Sequence, residues 1–182
     1  DVYKRQAIAR TLFGDAIPGG RLPITFPRSV GQIPCHYSRR PGGGKKYVEM
    51  DWMPLYPFGY GLTYTTFAYH DLRPDRAKIA PDESVTVSFT VENTGAFTGD
   101  AVPQLYVRDL FSSVVKPERQ LAAFTRVTLA PGEKRCITLT VGSRQLRTLG
   151  ADYVWRVEPG QFELQLGDNA ENILLRTDLT VE

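Results

Sequence analysis

From about residue 67 onward the chain alternates apolar and polar positions with a period of two. Val85, Val87, Phe89 and Val91 are separated by Thr86, Ser88 and Thr90, the pattern of a strand with one face buried and one in water. Leu105 and Val107 alternate with Gln104, Tyr106 and Arg108, and Ile137, Leu139 and Val141 with Thr138 and Thr140. Phe162, Leu164 and Leu166 form another run, and Ile173, Leu175, Thr177, Leu179 and Val181 the last. Residues 121–129 give a less regular strand through Phe124, Val127 and Leu129, and Tyr153 to Val157 gives one more. Turn signals separate the runs: Asn93-Thr94-Gly95, Ala130-Pro131-Gly132-Glu133, Glu158-Pro159-Gly160 and Gly167-Asp168-Asn169. Seven or eight short strands with almost no helical period predict an antiparallel β-sandwich of immunoglobulin or fibronectin type III character. Its extent of roughly 115 residues suits such a domain.

The first 63 residues read differently. Ile8 with Leu12 and Ala9 with Phe13 stand at i, i+4, Gly14 falls where a helix ends, and Pro18-Gly19-Gly20 prevents continuation. This predicts the last turns of a helix over 6–13; the start at Asp1-Val2-Tyr3-Lys4, without Met, fits an expectation that its beginning is missing. Leu22, Ile24 and Phe26 alternate with Pro23 and Thr25, so 21–26 reads as a short edge strand. A helix end, one strand and a long Pro/Gly loop cannot build a core, so residues 1–63 need a partner surface.

Between the two parts lies Pro54 to Phe67. Pro57 biases Leu55-Tyr56 towards extended backbone, and Gly59 and Gly61 permit angles their aromatic neighbours avoid. Glycines among aromatics predict a strap packed on a surface, not a flexible linker. Residues 55–67, LYPFGYGLTYTTF, resemble the connector near the C-terminus of family three glycoside hydrolases, the β-glucosidase and β-xylosidase family. Residues 20–34, GRLPITFPRSVGQIP, resemble the segment that closes that family's second, α/β domain, and the rest resembles its fibronectin type III-like domain. The resemblance implies residues 1–63 as the C-terminal end of an α/β-sandwich domain with connector, and 64–182 as the type III-like domain. It also implies a retaining, exo-acting parent enzyme that releases a terminal non-reducing β-D-glucose or related sugar without a cofactor. The implied partners are the upstream catalytic domains of the same polypeptide and the β-linked glycoside; a homo-oligomer and a periplasmic or secreted location are further expectations of the resemblance.

Composition changes this picture little. Hydrophobic residues at 42% and charged residues at 23% are ordinary for a globular protein, and a net charge of +2 argues against nucleic acid. Charge is uneven: residues 1–63 hold nine Lys/Arg against four Asp/Glu, and 64–182 thirteen against sixteen. Much of the basic excess is Arg39, Arg40, Lys45 and Lys46 beside Gly42-Gly43-Gly44, read as solvated surface because no phosphate-loop motif accompanies it. No stretch approaches the roughly 20 apolar residues of a membrane-spanning helix, so no membrane partner is expected. Cys35 and Cys136, and His36 and His70, are too scattered to suggest a disulfide framework or a metal site.

Glycoside hydrolysis needs two carboxyl groups about 5 Å apart for retention or 6.5–9.5 Å for inversion. By resemblance both catalytic groups lie upstream of residues 1–63, so no catalytic residue is expected here and the chain alone should be inactive. One local constellation remains. Lys46, Tyr47, Glu49, Asp51 and Trp52 combine charges with aromatics, and an extended segment would put Glu49 and Asp51 on one side about 6.5–7 Å apart. The ordinary reading is a half-packed surface loop; the functional one is a border of the parent enzyme's substrate cleft. Trp155, with Tyr153, reads as inter-sheet core, with a sugar-stacking platform as the alternative. Asp100, Asp109 and Asp168 lie near strand ends, where β-sandwiches sometimes bind calcium, but they do not cluster. Cys35-His36 lacks an orienting third group, and Lys116-Pro117-Glu118-Arg119 reads as a charged loop. The competing class is a free-standing carbohydrate-binding or structural interaction module.

Overall fold

The computed structural model describes residues 2–42 and 50–182. Helix α1 (Val2–Leu12) buries none of its residues. Phe13 N–H still reaches Ala9 O at 2.9 Å, and Gly14 at φ +85° takes the left-handed position that ends the helix. The strand expected over 21–26 does not form. Pro23 and Pro27 have no N–H to donate, so pairing shrinks to one antiparallel bridge between Phe26 and Tyr56. Leu22 extends the contact, donating to Tyr60 O and accepting from Gly59 N–H, both at 2.8 Å. A 3-10 turn (Val30–Gln32) follows.

The strands come next: β1 (Phe67–Pro74), β2 (Lys78–Ile79), β3 (Val85–Asn93), β4 (Gly99–Ala101), β5 (Gln104–Asp109) and β6 (Gln120–Phe124). Then follow β7 (Val127–Leu129), β8 (Lys134–Val141), the helical turn α2 (Ser143–Leu146), β9 (Thr148–Leu149), β10 (Trp155–Arg156), β11 (Gly160–Gly167) and β12 (Ile173–Val181). One sheet runs β1-β3-β8 and the other β2-β12-β11-β5-β6; β4 pairs with β7, and β9 with β10. Every pairing is antiparallel except β12 with β2. This is an immunoglobulin/fibronectin type III-like sandwich preceded by the end of an α/β-sandwich domain.

The period of two sets the core. In β3, Val85, Val87, Phe89 and Val91 are buried, and they face Val141, Leu139 and Ile137 of β8 through the cross-strand register. From the other sheet come Leu105, Phe162, Leu164, Leu166, Leu179 and Val181, all buried. At about 25 cal/mol per Å² of apolar surface removed from water, each such side chain contributes about 1.5–3 kcal/mol.

Four readings need correction. Residues 121–129 are not one strand: Gln120–Phe124 pairs with β5, whereas Val127–Leu129 pairs with β4, so the chain changes sheets at Thr125-Arg126. Asn93 belongs to β3 and is fully buried rather than standing in a turn. Tyr153 to Val157 contracts to Trp155–Arg156, with Tyr153 at φ +61° in the turn before it, and Trp155 is 55% exposed and outside the core. The outward positions Gln104 and Tyr106 of β5 are also buried, so the first part of this strand is covered on both faces.

The strap covers it. Phe58 stacks on Tyr37 with ring centroids 4.2 Å apart, and Tyr37 stands edge-on to Tyr106 at 6.3 Å. Gln104 Nε2 donates to Gly59 O at 3.1 Å and to Asp168 O at 2.6 Å, while its Oε1 accepts from the Tyr106 hydroxyl. Gly59 has φ +82°, and a Cβ there would lie 2.1 Å from Gln104 Oε1, so only glycine lets the strap approach this closely. Further along, Thr65 Oγ1 donates to Asn93 Oδ1 at 2.7 Å.

Candidate functional site

Of the five cleft-border candidates, Lys46, Tyr47 and Glu49 lie outside the described residues, so the Glu49–Asp51 spacing finds no test; Asp51 and Trp52 are placed. Asp51 is exposed, and its Oδ1 accepts from Met53 N–H at 3.1 Å, making a tight turn. Gln32, only 7% exposed, holds this turn from beneath. Its Nε2 faces the carbonyls of Asp51, Trp52 and Met53 at 3.2, 3.3 and 3.4 Å, and its Oε1 accepts from Arg28 N–H.

Trp52 is half-exposed, and the Arg39 guanidinium lies over its ring, 4.5 Å from the centroid. Arg39 is therefore not the solvated residue its basic surroundings suggested. Its Nη1 and Nη2 grip both carboxylate oxygens of Glu171 at 2.7 and 3.2 Å, its Nε approaches Glu118 at 3.5 Å, and its carbonyl accepts from Glu118 N–H at 2.8 Å. Arg119 closes the network on Glu118 at 3.0 Å. Residues 116–119 are correspondingly not a free charged loop. Lys116 is mostly buried, donating to Asp109 Oδ2 at 3.1 Å and to Leu146 O at 3.2 Å. Sequence reasoning missed these buried charges because each looks solvated until its partner, up to 132 residues away, folds beside it.

The remaining candidates stay apart. Asp100 accepts from Thr128 Oγ1 at 2.6 Å and from Arg126 Nε at 2.8 Å, which hold its carboxyl below the usual range against some burial. Asp168 is pushed the other way: burial raises its carboxyl above the usual range despite Asn172 and Arg21. Asp109 is committed to Lys116. Among the described residues, no three His, Cys, Asp or Glu side chains stand close enough to hold a metal ion. Cys35 and Cys136 are free, and burial raises the Cys35 thiol away from the reactive thiolate. The arrangement offers an aromatic ring and an exposed carboxylate, Asp51, on a braced turn.

Sandwich and strap together define a fibronectin type III-like domain carrying the end of a second domain. Two family models match: the fibronectin type III-like domain over residues 101–170, and the glycosyl hydrolase family 3 C-terminal domain over 3–64. Among curated proteins, a β-xylosidase of Formosa agariphila is 44% identical over 181 residues, 97% of this chain and 25% of the relative. A periplasmic β-glucosidase of Salmonella typhimurium is 39% identical over 178 residues, 92% of this chain and 23% of the relative. A β-glucosidase structure from Erythrobacter marinus superposes with TM-score 0.92 at 40% identity, covering 97% of this chain and 23% of that one. The chain belongs to family three of the glycoside hydrolases and corresponds to their C-terminal part; it spans about a quarter of the length of the curated relatives it matches.

Proposed function

We propose that residues 1–182 form the C-terminal accessory part of a retaining, exo-acting β-glycosidase of β-glucosidase type, inactive alone. Residues 1–63 complete its α/β domain, and 64–182, the type III-like domain, brace that domain from below. The observation that carries this reading is the open apolar face of the first segment. Ile8, Leu12, Phe13, Ile24, Val30 and Leu62 are each at least 58% exposed. Beside them a groove of about 560 Å³ is lined by Pro18, Leu22, Phe26, Tyr56, Tyr60 and Leu62. Exposed apolar surface in this amount suits burial against another domain. Asp51 and Trp52 then border the substrate cleft, on a turn braced by Gln32 and Arg39. The substrate is a β-linked glucoside or xyloside, as the names of the relatives suggest.

The test is hydrolysis of aryl β-glucosides and β-xylosides by 1–182 and by a longer protein joined to its upstream coding sequence. Activity confined to the longer protein is expected. Turnover by 1–182 itself would overturn the reading and make Asp51 the first residue to replace.

A further inference from the structure

Trp155 is where the structure departs most from the pattern. The alternation that buries Phe162 a few residues later leaves this indole 55% exposed, with Tyr153 at 85% and Val154 at 53%. The hairpin is built, not loose. Trp155 and Arg156 pair with Leu149 and Thr148. Gly150 N–H reaches Val154 O, and Tyr153 N–H reaches Gly150 O, each at 3.0 Å. Asp152 Oδ1 accepts from Val154 N–H at 3.3 Å, and its other oxygen binds Arg156. The Arg147 guanidinium lies over the indole 4.4 Å from its centroid, so one face is capped and the exposed area lies on the remaining face and edge. Tyr153 holds φ +61°, a conformation L residues adopt at a cost, which presents its ring outward.

The hairpin leads into the end of β11 opposite the strap. Gly167, at one end of β11, lies opposite Gln104, which binds the strap. Gly160, at the other end and about 23 Å away along the strand, follows the hairpin. An apolar partner would leave Asp152, Arg147 and Arg156 desolvated around the ring. A sugar matches them: its axial C–H face lies on the electron-rich indole while its hydroxyls meet a carboxylate and two guanidiniums.

We propose that the 149–156 hairpin is a secondary glycan-binding site, with Trp155 stacking on one pyranose of a β-linked polysaccharide. The choice of a β-linked glycan rests on the β-glycosidase reading above; the stacking geometry does not. Such a site would hold the protein on polymer while its active site works on chain ends.

The experiment measures retention of the 182-residue chain on amorphous cellulose and insoluble xylan, with starch as the α-linked control. The parent chain should be retained on a β-glycan, Trp155→Ala should bind about tenfold or more weakly, and Trp155→Phe should recover part of the loss. In the longer protein, Trp155→Ala should hydrolyse aryl glycosides at the parent rate. Equal retention of Trp155→Ala and parent overturns the site, as does absence of retention on either β-glycan. So does a Trp155→Ala change in melting temperature or oligomeric state, which would mean the ring packs against protein. A longer protein without aryl glycosidase activity sinks the proposed function and leaves the retention result standing.

Discussion

Phe13 and Phe89 are the same side chain with opposite fates: 85% of the first is exposed and 1% of the second. The contrast holds for whole regions. Among the described residues, every buried hydrophobic side chain of the core lies at Tyr69 or later, although residues 2–63 are no less rich in aromatic and aliphatic groups. A core needs two layers that face one another, and the sandwich supplies both from its own sequence. The first segment supplies one layer and is tied to the sandwich through polar and aromatic contacts such as Gln104 to Gly59, Tyr37 edge-on to Tyr106, and Arg39 between Glu118 and Glu171. Apolar content thus says that a segment wants burial, and topology says whether its own chain can provide it.

The comparison breaks most sharply at those two phenylalanines. Phe89→Ala should cost about 3–5 kcal/mol, read as a lowered urea midpoint, whereas Phe13→Ala in the 182-residue chain should stay within about 0.5 kcal/mol. In the longer protein Phe13→Ala should become clearly destabilising. A cost that remains negligible there would mean the face stays open, against the proposed docking.

Asn93 ties the end of the strap to the sandwich and ranks next. Its Nδ2 donates to Phe97 O and Leu129 O, both at 2.8 Å, and its Oδ1 accepts from Thr65 and Gly95. Asn93→Ala leaves buried partners unmatched, each at about 1–3 kcal/mol before relaxation, so a loss of about 2–3 kcal/mol is expected. Hydrogen exchange at Thr65 and Thr66 should accelerate. An unchanged rate there would show that the strap does not depend on this residue.

The smallest effect is electrostatic. Burial raises the Asp168 carboxyl, so the folded state binds its proton more tightly than the unfolded chain does. Stability from this group is therefore fullest below the ordinary carboxylate pKa of about 3.9 and declines as pH rises through the raised value. Asp168→Asn should be at least as stable as the parent at pH 7, with the difference closing near pH 3. A variant less stable at pH 7 would show that the Asn172 and Arg21 interactions outweigh burial.

Strands with one wet face were legible from sequence, because β3 alternates cleanly between Val or Phe and Ser or Thr. The reading failed where something outside the strand decides the environment. Tyr106 and Gln104 stand at positions a lone sheet would leave in water, and the strap buries them. The break at Thr125-Arg126 carries no turn motif, since changing sheets needs only a corner. The alternation around Trp155 points to the core, and its neighbours give no hint of the hairpin that lifts it out. The Arg39 network was invisible because its members come from three distant segments, while the turn carrying Asp51 and Trp52 could be singled out but not its brace, Gln32.

The strand order has a further consequence, for the timing of synthesis. β12 is an interior strand: it lies between β11 and β2, with Val181 opposite Gly160 and beside Ile79. The two-residue strand β2 therefore has no partner, and β11 has an open edge, until residues 173–181 have left the ribosome, on the order of 10 s after Phe67 at ordinary translation rates. Until then β11 is paired on one side only, and the strap that Gln104 and Ala170 N–H hold rests on an unfinished sheet. The aromatic strap is thus made before the strands that hold it, and through that interval a nascent-chain chaperone would find its side chains open.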